Sequence, residues 1–143
     1  MSQLYEDDVV AWAEQQAHLL RTGQWSRLDI DNLAEEIEDV GKSEQHELQS
    51  RFSVLIAHLL KWTHQPARRG RSWRRTIKEQ RAAIARHLRR HPGLKPLLDD
   101  PDWLESAFVT ARTNAFDETG IPDLPLNLPW SLAQLMAQDF LPE

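Results

Sequence analysis

The chain has 143 residues, 41% of them hydrophobic and six of them tryptophan, which is enough to bury the core of one globular domain. It has no cysteine, which excludes disulfides, thiol nucleophiles and thiolate metal ligands. Its net charge of −5 is unevenly distributed: residues 1–60 carry 12 acids and 4 bases, residues 61–95 carry 12 bases and one acid, and residues 96–143 carry nine acids and one base. The strongly basic middle segment must therefore pair with acidic parts of the fold or face an external anion.

The start of the chain and its apolar content indicate a cytoplasmic protein. Residues 1–8 are acidic, where a secretory signal needs positive charge before an apolar run. No apolar run approaches the roughly 18 residues that a membrane-spanning helix needs. We therefore expect no membrane partner.

Helical periodicity dominates the chain and predicts an all-α fold. Four main helices and a short C-terminal helix are predicted at about residues 4–22, 30–64, 72–90, 101–118 and 131–138. In the second, an apolar stripe runs from Leu33 through Ile37 and Val40 to Trp62 and keeps its phase across Gly41, which favours one continuous helix. Short links between apolar-faced helices predict a single antiparallel bundle over residues 1–143.

Several short motifs along the chain are distinctive in combination. They are Tyr5-Glu6-Asp7-Asp8 with Trp12, Leu28-Asp29, residues 32–38, Gly41 with Glu44, residues 58–62 with Gln65-Pro66, Arg71-Ser72-Trp73 with Ile77, Gln80-Arg81 and Glu118-Thr119-Gly120. Together they resemble the uncharacterised bacterial family catalogued as domain of unknown function 29, over about residues 5–142. The resemblance implies an all-helical fold and no established activity. Similar proteins often have a cysteine before a proline near the C-terminus, where this chain has Leu128 before Pro129.

The acidic run at residues 35–39 invites comparison with metal sites in helical bundles. Di-metal carboxylate bundles place a glutamate three residues before a histidine on two helices, and no histidine in this chain has glutamate at that position. His46-Glu47 begins like a zinc-protease helix, but Ser50 stands where the second histidine belongs. The sequence thus predicts a solvated or arginine-paired acidic face, with no metal and no cofactor.

Glu44 interrupts the apolar stripe of the second predicted helix, so it should have a cation or a hydrogen-bond donor as partner. One interpretation is that Glu44, with His58, Arg81 and nearby glutamines, forms buried polar links that fix the helix register. The alternative is a polar pocket in which Asp8 and Glu44 are carboxylates and His58 is a base. The first interpretation is favoured because the chain has no recognisable nucleophile or phosphate-binding motif.

The basic segment, residues 68–90, is the strongest candidate for a binding surface. Arginine predominates in it, which favours bidentate contacts with carboxylate or phosphate. Its cations are interrupted by Ala82 and Ala85. The candidate anion-binding residues are Arg68, Arg69, Arg71, Arg74, Arg75 and Lys78.

Three functions are compatible with the basic segment. The favoured one is a non-catalytic protein-interaction or regulatory module in which these cations pair with the acidic flanks, an acidic partner protein or a second copy of the chain. Nucleic-acid binding through the same arginines is the first alternative, although the acidic flanks would repel a polyanion. The second alternative is a metal-dependent or acid–base enzyme that uses Asp8, Glu44 and His58.

Overall fold

The computed structural model describes residues 3–143, so Met1 and Ser2 of the acidic N-terminal segment lie outside it. The described residues form helices and connecting turns without any strand, and the predicted all-α fold is confirmed. The α-helices are α1 (Gln3–Asp7), α2 (Val9–Arg21), α3 (Ile30–His64), α4 (Arg71–Arg90), α5 (Pro101–Thr119) and α6 (Leu132–Met136). Helix α3 continues through Gly41, as its unbroken stripe predicts.

Internal contacts divide the chain into two compact units, one that ends at Glu44 and one that comprises Gln45–Glu143. The single domain over residues 1–143 stays a prediction. Among the described residues, no helix is both long and apolar enough to cross a membrane.

The predicted first helix, residues 4–22, is two helices that meet at Asp8. Asp8 has extended backbone angles (φ −154°, ψ 90°), and its carboxylate accepts a hydrogen bond of 3.1 Å from the Ala11 backbone N–H. This is an N-cap, which satisfies one of the free donors at the start of α2 and ends α1. Helical periodicity continues across such a break, so the apolar pattern alone predicts one helix.

Buried polar contacts join α2 to the start of α3 in the N-terminal unit. The Trp12 indole N–H donates to Asp29 Oδ2 at 3.0 Å, and the Gln16 side-chain oxygen accepts from the Asp29 backbone N–H at 2.8 Å. The Tyr5 ring packs edge-on against Trp12, with 4.7 Å between ring centroids, and its hydroxyl donates to Glu36. Gln16 therefore helps to position the start of α3, one of the helix-fixing roles that the sequence suggests.

In the N-terminal half of α3, residues of the predicted apolar stripe are exposed and not buried. Ile37 and Val40 are 71% and 68% exposed, although the periodicity places them on the buried face. The hydroxyl of Tyr5 on α1 reaches α3 at Glu36, the residue before Ile37. The apolar stripe is therefore not a buried stripe in this half of the helix.

The core of the C-terminal unit lies between α3, α4 and α5, with α6 and the segment before it packed alongside. Close approach of α5 to α3 is possible because Ala107 and Ala111 are fully buried and small. The Ser53 hydroxyl, 3.1 Å from the Ala107 carbonyl oxygen, marks this approach. The largest fully buried side chains of the unit are Phe52, Phe108, Leu48, Leu55, Ile56, Leu59, Leu60, Ile84 and Leu135.

Two arginines hold the proline-rich C-terminal segment against the bundle. The guanidinium of Arg112 on α5 donates to the Pro125 carbonyl at 2.8 Å. Arg81 on α4 donates to the Leu135 carbonyl at 2.7 Å. Ser131 and Gln134 form a capping box at the start of α6. Hydrogen bonds from arginine thus satisfy backbone carbonyls that the irregular segment leaves unpaired.

Candidate interaction surface on the basic segment

The basic segment begins at the turn between α3 and α4, which is organised around Trp62. The guanidinium carbons of Arg69 and Arg74 lie 5.1 and 5.2 Å from the Trp62 ring centroid. Arg69 Nε also donates to the Trp62 carbonyl oxygen at 2.7 Å. These cation–π contacts and the hydrogen bond fix the turn and set the direction in which α4 leaves it.

Most cations of the basic segment are not neutralised within the C-terminal unit. Arg68, Arg71, Arg75 and Lys78 are exposed, and none of them lies within ion-pair distance of a carboxylate in that unit. Arg74 is also exposed and has Trp62 as its contact. Within that unit the C-terminal acidic flank therefore does not pair with these four cations, and the wider expectation of pairing stays a prediction. Glu118 of this flank pairs instead with Lys61, at 2.6 Å.

Beside these cations, α4 and the C-terminal segment enclose a groove of about 550 Å³. Ala82 and Ala85, which interrupt the run of cations in the sequence, line this groove. Small side chains at these positions leave room between the helix and the C-terminal segment. The apolar lining residues are Ile77, Ala82, Ala85, Met136 and Leu141, and the charged ones are Arg74, Lys78, Arg81 and Asp139.

Arg81 holds one wall of the groove in place, and little of its charge is exposed to a ligand. It is only 4% exposed, and its three guanidinium nitrogens face the carbonyl oxygens of Leu135, Gln134 and Gln138 at 2.7, 3.3 and 3.4 Å. Burial lowers the pKa of Arg81 from its ordinary value, and these carbonyls supply the acceptors that a buried guanidinium requires. The sequence suggests Arg81 as a partner for Glu44, but its nitrogens serve the C-terminal segment.

The candidate acid–base residues have separate structural settings. Asp8 caps α2, as described above, and Glu44 is half-buried on α3, one helical turn before Glu47. His58 lies further along α3, where Nδ1 is 2.9 Å from the Val54 carbonyl oxygen of the preceding turn. Burial lowers the pKa of His58, which favours the neutral ring with Nδ1–H donating to this carbonyl. The acid–base site stays a prediction.

Sequence reasoning missed the far wall of the groove. Met136 and Leu141 follow a proline-rich segment, and their apolar character alone predicts only burial. They meet α4 because Arg81 binds the intervening carbonyls, and this pairing spans more than fifty residues of sequence.

Comparison with known proteins gives the family and nothing finer. No curated protein and no solved structure matches the chain significantly. The family described as "Domain of unknown function DUF29" matches residues 4–141, nearly the whole chain, and confirms the resemblance seen in the sequence motifs. The chain belongs to the DUF29 family.

Proposed function

We propose that this protein is a non-catalytic, cytoplasmic protein-interaction or regulatory module, and that it binds an acidic segment of a partner protein along the basic segment, residues 68–90. The observation that carries the proposal is the groove beside α4, which has apolar walls and cations along its edge. Exposed arginines without carboxylate partners in their own unit attract an anion from outside.

The combination of apolar and cationic side chains in the groove favours one kind of anionic ligand. A partner segment that carries both carboxylates and apolar side chains would pair with Arg74 and Lys78 and fill the space beside Ala85. An amphipathic helix laid into an apolar groove is a common mode of peptide recognition. The proposed ligand is therefore an acidic amphipathic segment of another protein.

Nucleic acid is the alternative ligand, because exposed arginines also suit phosphate groups. It gains nothing from the apolar walls of the groove, and the chain as a whole carries a net charge of −5. A second copy of the chain is the other alternative occupant, since its acidic segments would suit the same cations.

A charge reversal beside the groove tests the proposal. The probe is a fluorescein-labelled amphipathic helical peptide of glutamate and leucine, with binding followed by fluorescence anisotropy. We expect saturable binding that K78E weakens about tenfold, or about 1.4 kcal/mol, because the edge of the groove changes sign. The matched control is R86E, which makes the same change in charge at an exposed residue of α4 outside the groove lining and should leave binding nearly unchanged.

Three companion measurements separate the alternatives. A peptide with serine in place of leucine should bind much more weakly, because it cannot use the apolar walls. Tighter binding of a DNA duplex than of the acidic peptide at about 50 mM salt would overturn the proposal in favour of nucleic acid. A dimer detected by light scattering that K78E dissociates would identify a second copy as the occupant and would also overturn it. Equal weakening by K78E and R86E would contradict a role for the groove.

A further inference from the structure

The N-terminal half of α3 presents an apolar row of side chains to solvent, which the proposed function does not use. Ile30, Ile37 and Val40 are 67%, 71% and 68% exposed, and Leu33 is half-buried. Because these four residues follow one another at steps of three, four and three, they lie on one face of the helix. The same spacing brings two helices together in a coiled coil. These four residues are called the exposed stripe below.

One side of the exposed stripe is open and lined by small residues. Ala34 and Gly41 on this side are exposed, and no atom lies within 4 Å of the position that a Cβ would occupy at Gly41. Glycine weakens a helix interior by about 1 kcal/mol, and Gly41 has no positive φ that would require it. On the other side of the stripe, Glu36 accepts a hydrogen bond from Tyr5 of α1. The open side therefore allows the backbone of a second helix to approach α3 closely.

Carboxylates surround the exposed stripe and determine which kind of helix suits it. Residues 30–44 carry six acids and one base, a net charge of −5. Glu35, Glu38 and Asp39 are exposed and form no ion pair within residues 3–44. The stripe of a second copy would bring carboxylates against carboxylates, and like charges disfavour such an association. A helix with cations beside its apolar face complements both the charge and the apolar character of this surface.

We propose that the exposed stripe binds a basic amphipathic helix of a partner protein. The apolar side chains of that helix pack on Ile37 and Val40, and its cations pair with Glu38, which lies next to the small residues of the open side. The surface belongs to the N-terminal unit, whereas the groove of the proposed function is lined by residues of the C-terminal unit. The two proposals are independent, because they use different residues and ligands of opposite charge.

Binding of a rhodamine-labelled amphipathic helical peptide of lysine and leucine, followed by fluorescence anisotropy, tests the surface. Salt at about 150 mM screens distant charges, since the Debye length is then about 8 Å. We expect saturable binding that V40S weakens about tenfold, because the peptide loses an apolar contact. The matched control is V109S, the same replacement at a valine of α5 that is 59% exposed, and it should leave binding nearly unchanged.

A charge reversal tests the carboxylates separately. E38K should weaken binding about fivefold, because attraction of the peptide becomes repulsion. E14K makes the same change at an exposed residue of α2 and should have little effect. Circular dichroism of each variant checks that it remains helical.

Four outcomes would overturn the proposal. They are absence of saturable binding, equal weakening by V40S and V109S, equal weakening by E38K and E14K, and equally tight binding of a peptide with serine in place of leucine. A dimer detected by light scattering that V40S dissociates and K78E leaves intact would identify a second copy as the occupant of the exposed stripe, and would also overturn it. Loss of acidic-peptide binding in the groove would leave this proposal unaffected, because that experiment uses a different surface.

Discussion

Arg81 shows at the scale of one residue how a buried cation can determine a surface. The sequence places it in the basic segment and suggests it as a buried polar partner of Glu44. Its guanidinium nitrogens instead face three backbone carbonyls around α6, and this contact closes one wall of the groove. Hydrogen bonds between charged donors and buried carbonyls contribute more to stability than neutral ones.

Removal of this guanidinium should destabilise the C-terminal unit. We expect R81M to lower the free energy of unfolding by about 3 kcal/mol, because it leaves the buried Leu135 carbonyl without its donor while it conserves side-chain volume. R81K should recover only part of this loss, since an ammonium cannot match the planar set of donors. Urea denaturation followed by circular dichroism measures both values. The exposed control R86M should change the free energy by less than about 0.5 kcal/mol, and a loss as small for R81M would contradict the structural role of Arg81.

Helix α3 has two halves that differ in their environment, although its apolar stripe is continuous. In the second half Leu48, Phe52 and Leu55 are fully buried in the core. In the first half Ile37 and Val40 remain largely exposed. Periodicity reports which side of a helix is apolar, and burial depends on whether another element covers that side.

This difference predicts unequal effects of mutation along one helix. I37S and V40S should each change the free energy of unfolding by less than about 0.5 kcal/mol, because little apolar area leaves water there on folding. L55A should cost about 2–5 kcal/mol, since it opens a cavity in a filled core. Urea denaturation at several protein concentrations checks these values. A cost for I37S that approaches that of L55A would show that Ile37 is covered in solution.

Over the whole molecule, the segregation of charge does not lead to neutralisation within the C-terminal unit. Lys61 pairs with Glu118 and Arg81 binds carbonyls, while Arg71, Arg75 and Lys78 stay exposed and have no ion-pair carboxylate within residues 45–143. A mildly acidic chain thus keeps a locally basic surface. The proposed association with an acidic partner should therefore be sensitive to salt.

The stability of the whole chain should depend on pH through His58. Burial lowers its pKa below the ordinary value of 6.5; Lys61 lowers it further, and the Val54 carbonyl and Glu118 oppose the shift. Between the two pKa values the unfolded chain binds a proton that the folded chain does not, so the free energy of unfolding falls as the pH decreases below about 6.5. H58L should reduce this dependence, whereas H18L, at an exposed site, should not. Urea denaturation between pH 7 and pH 5 measures it, and identical slopes for the original protein and H58L would contradict the prediction.

Local sequence signals predicted the helices because they act within a few turns. The caps at Asp100 and Ser131, and Gly120 with its positive φ at the end of α5, place helix ends close to the predicted bounds. The break at Asp8 was missed because an N-cap there leaves the apolar periodicity intact.

The sequence alone determined the all-α class, the position of the basic segment and the family. The tertiary structure decided which arginines form contacts within the fold and which stay exposed. It also decided where the groove lies, and it brought Glu47 next to His87. The physical reason is the distance along the sequence over which each interaction acts. Helix formation and capping depend on residues within one or two turns, whereas the partner of a guanidinium or an imidazole comes from whatever distant segment the packing of the core brings near.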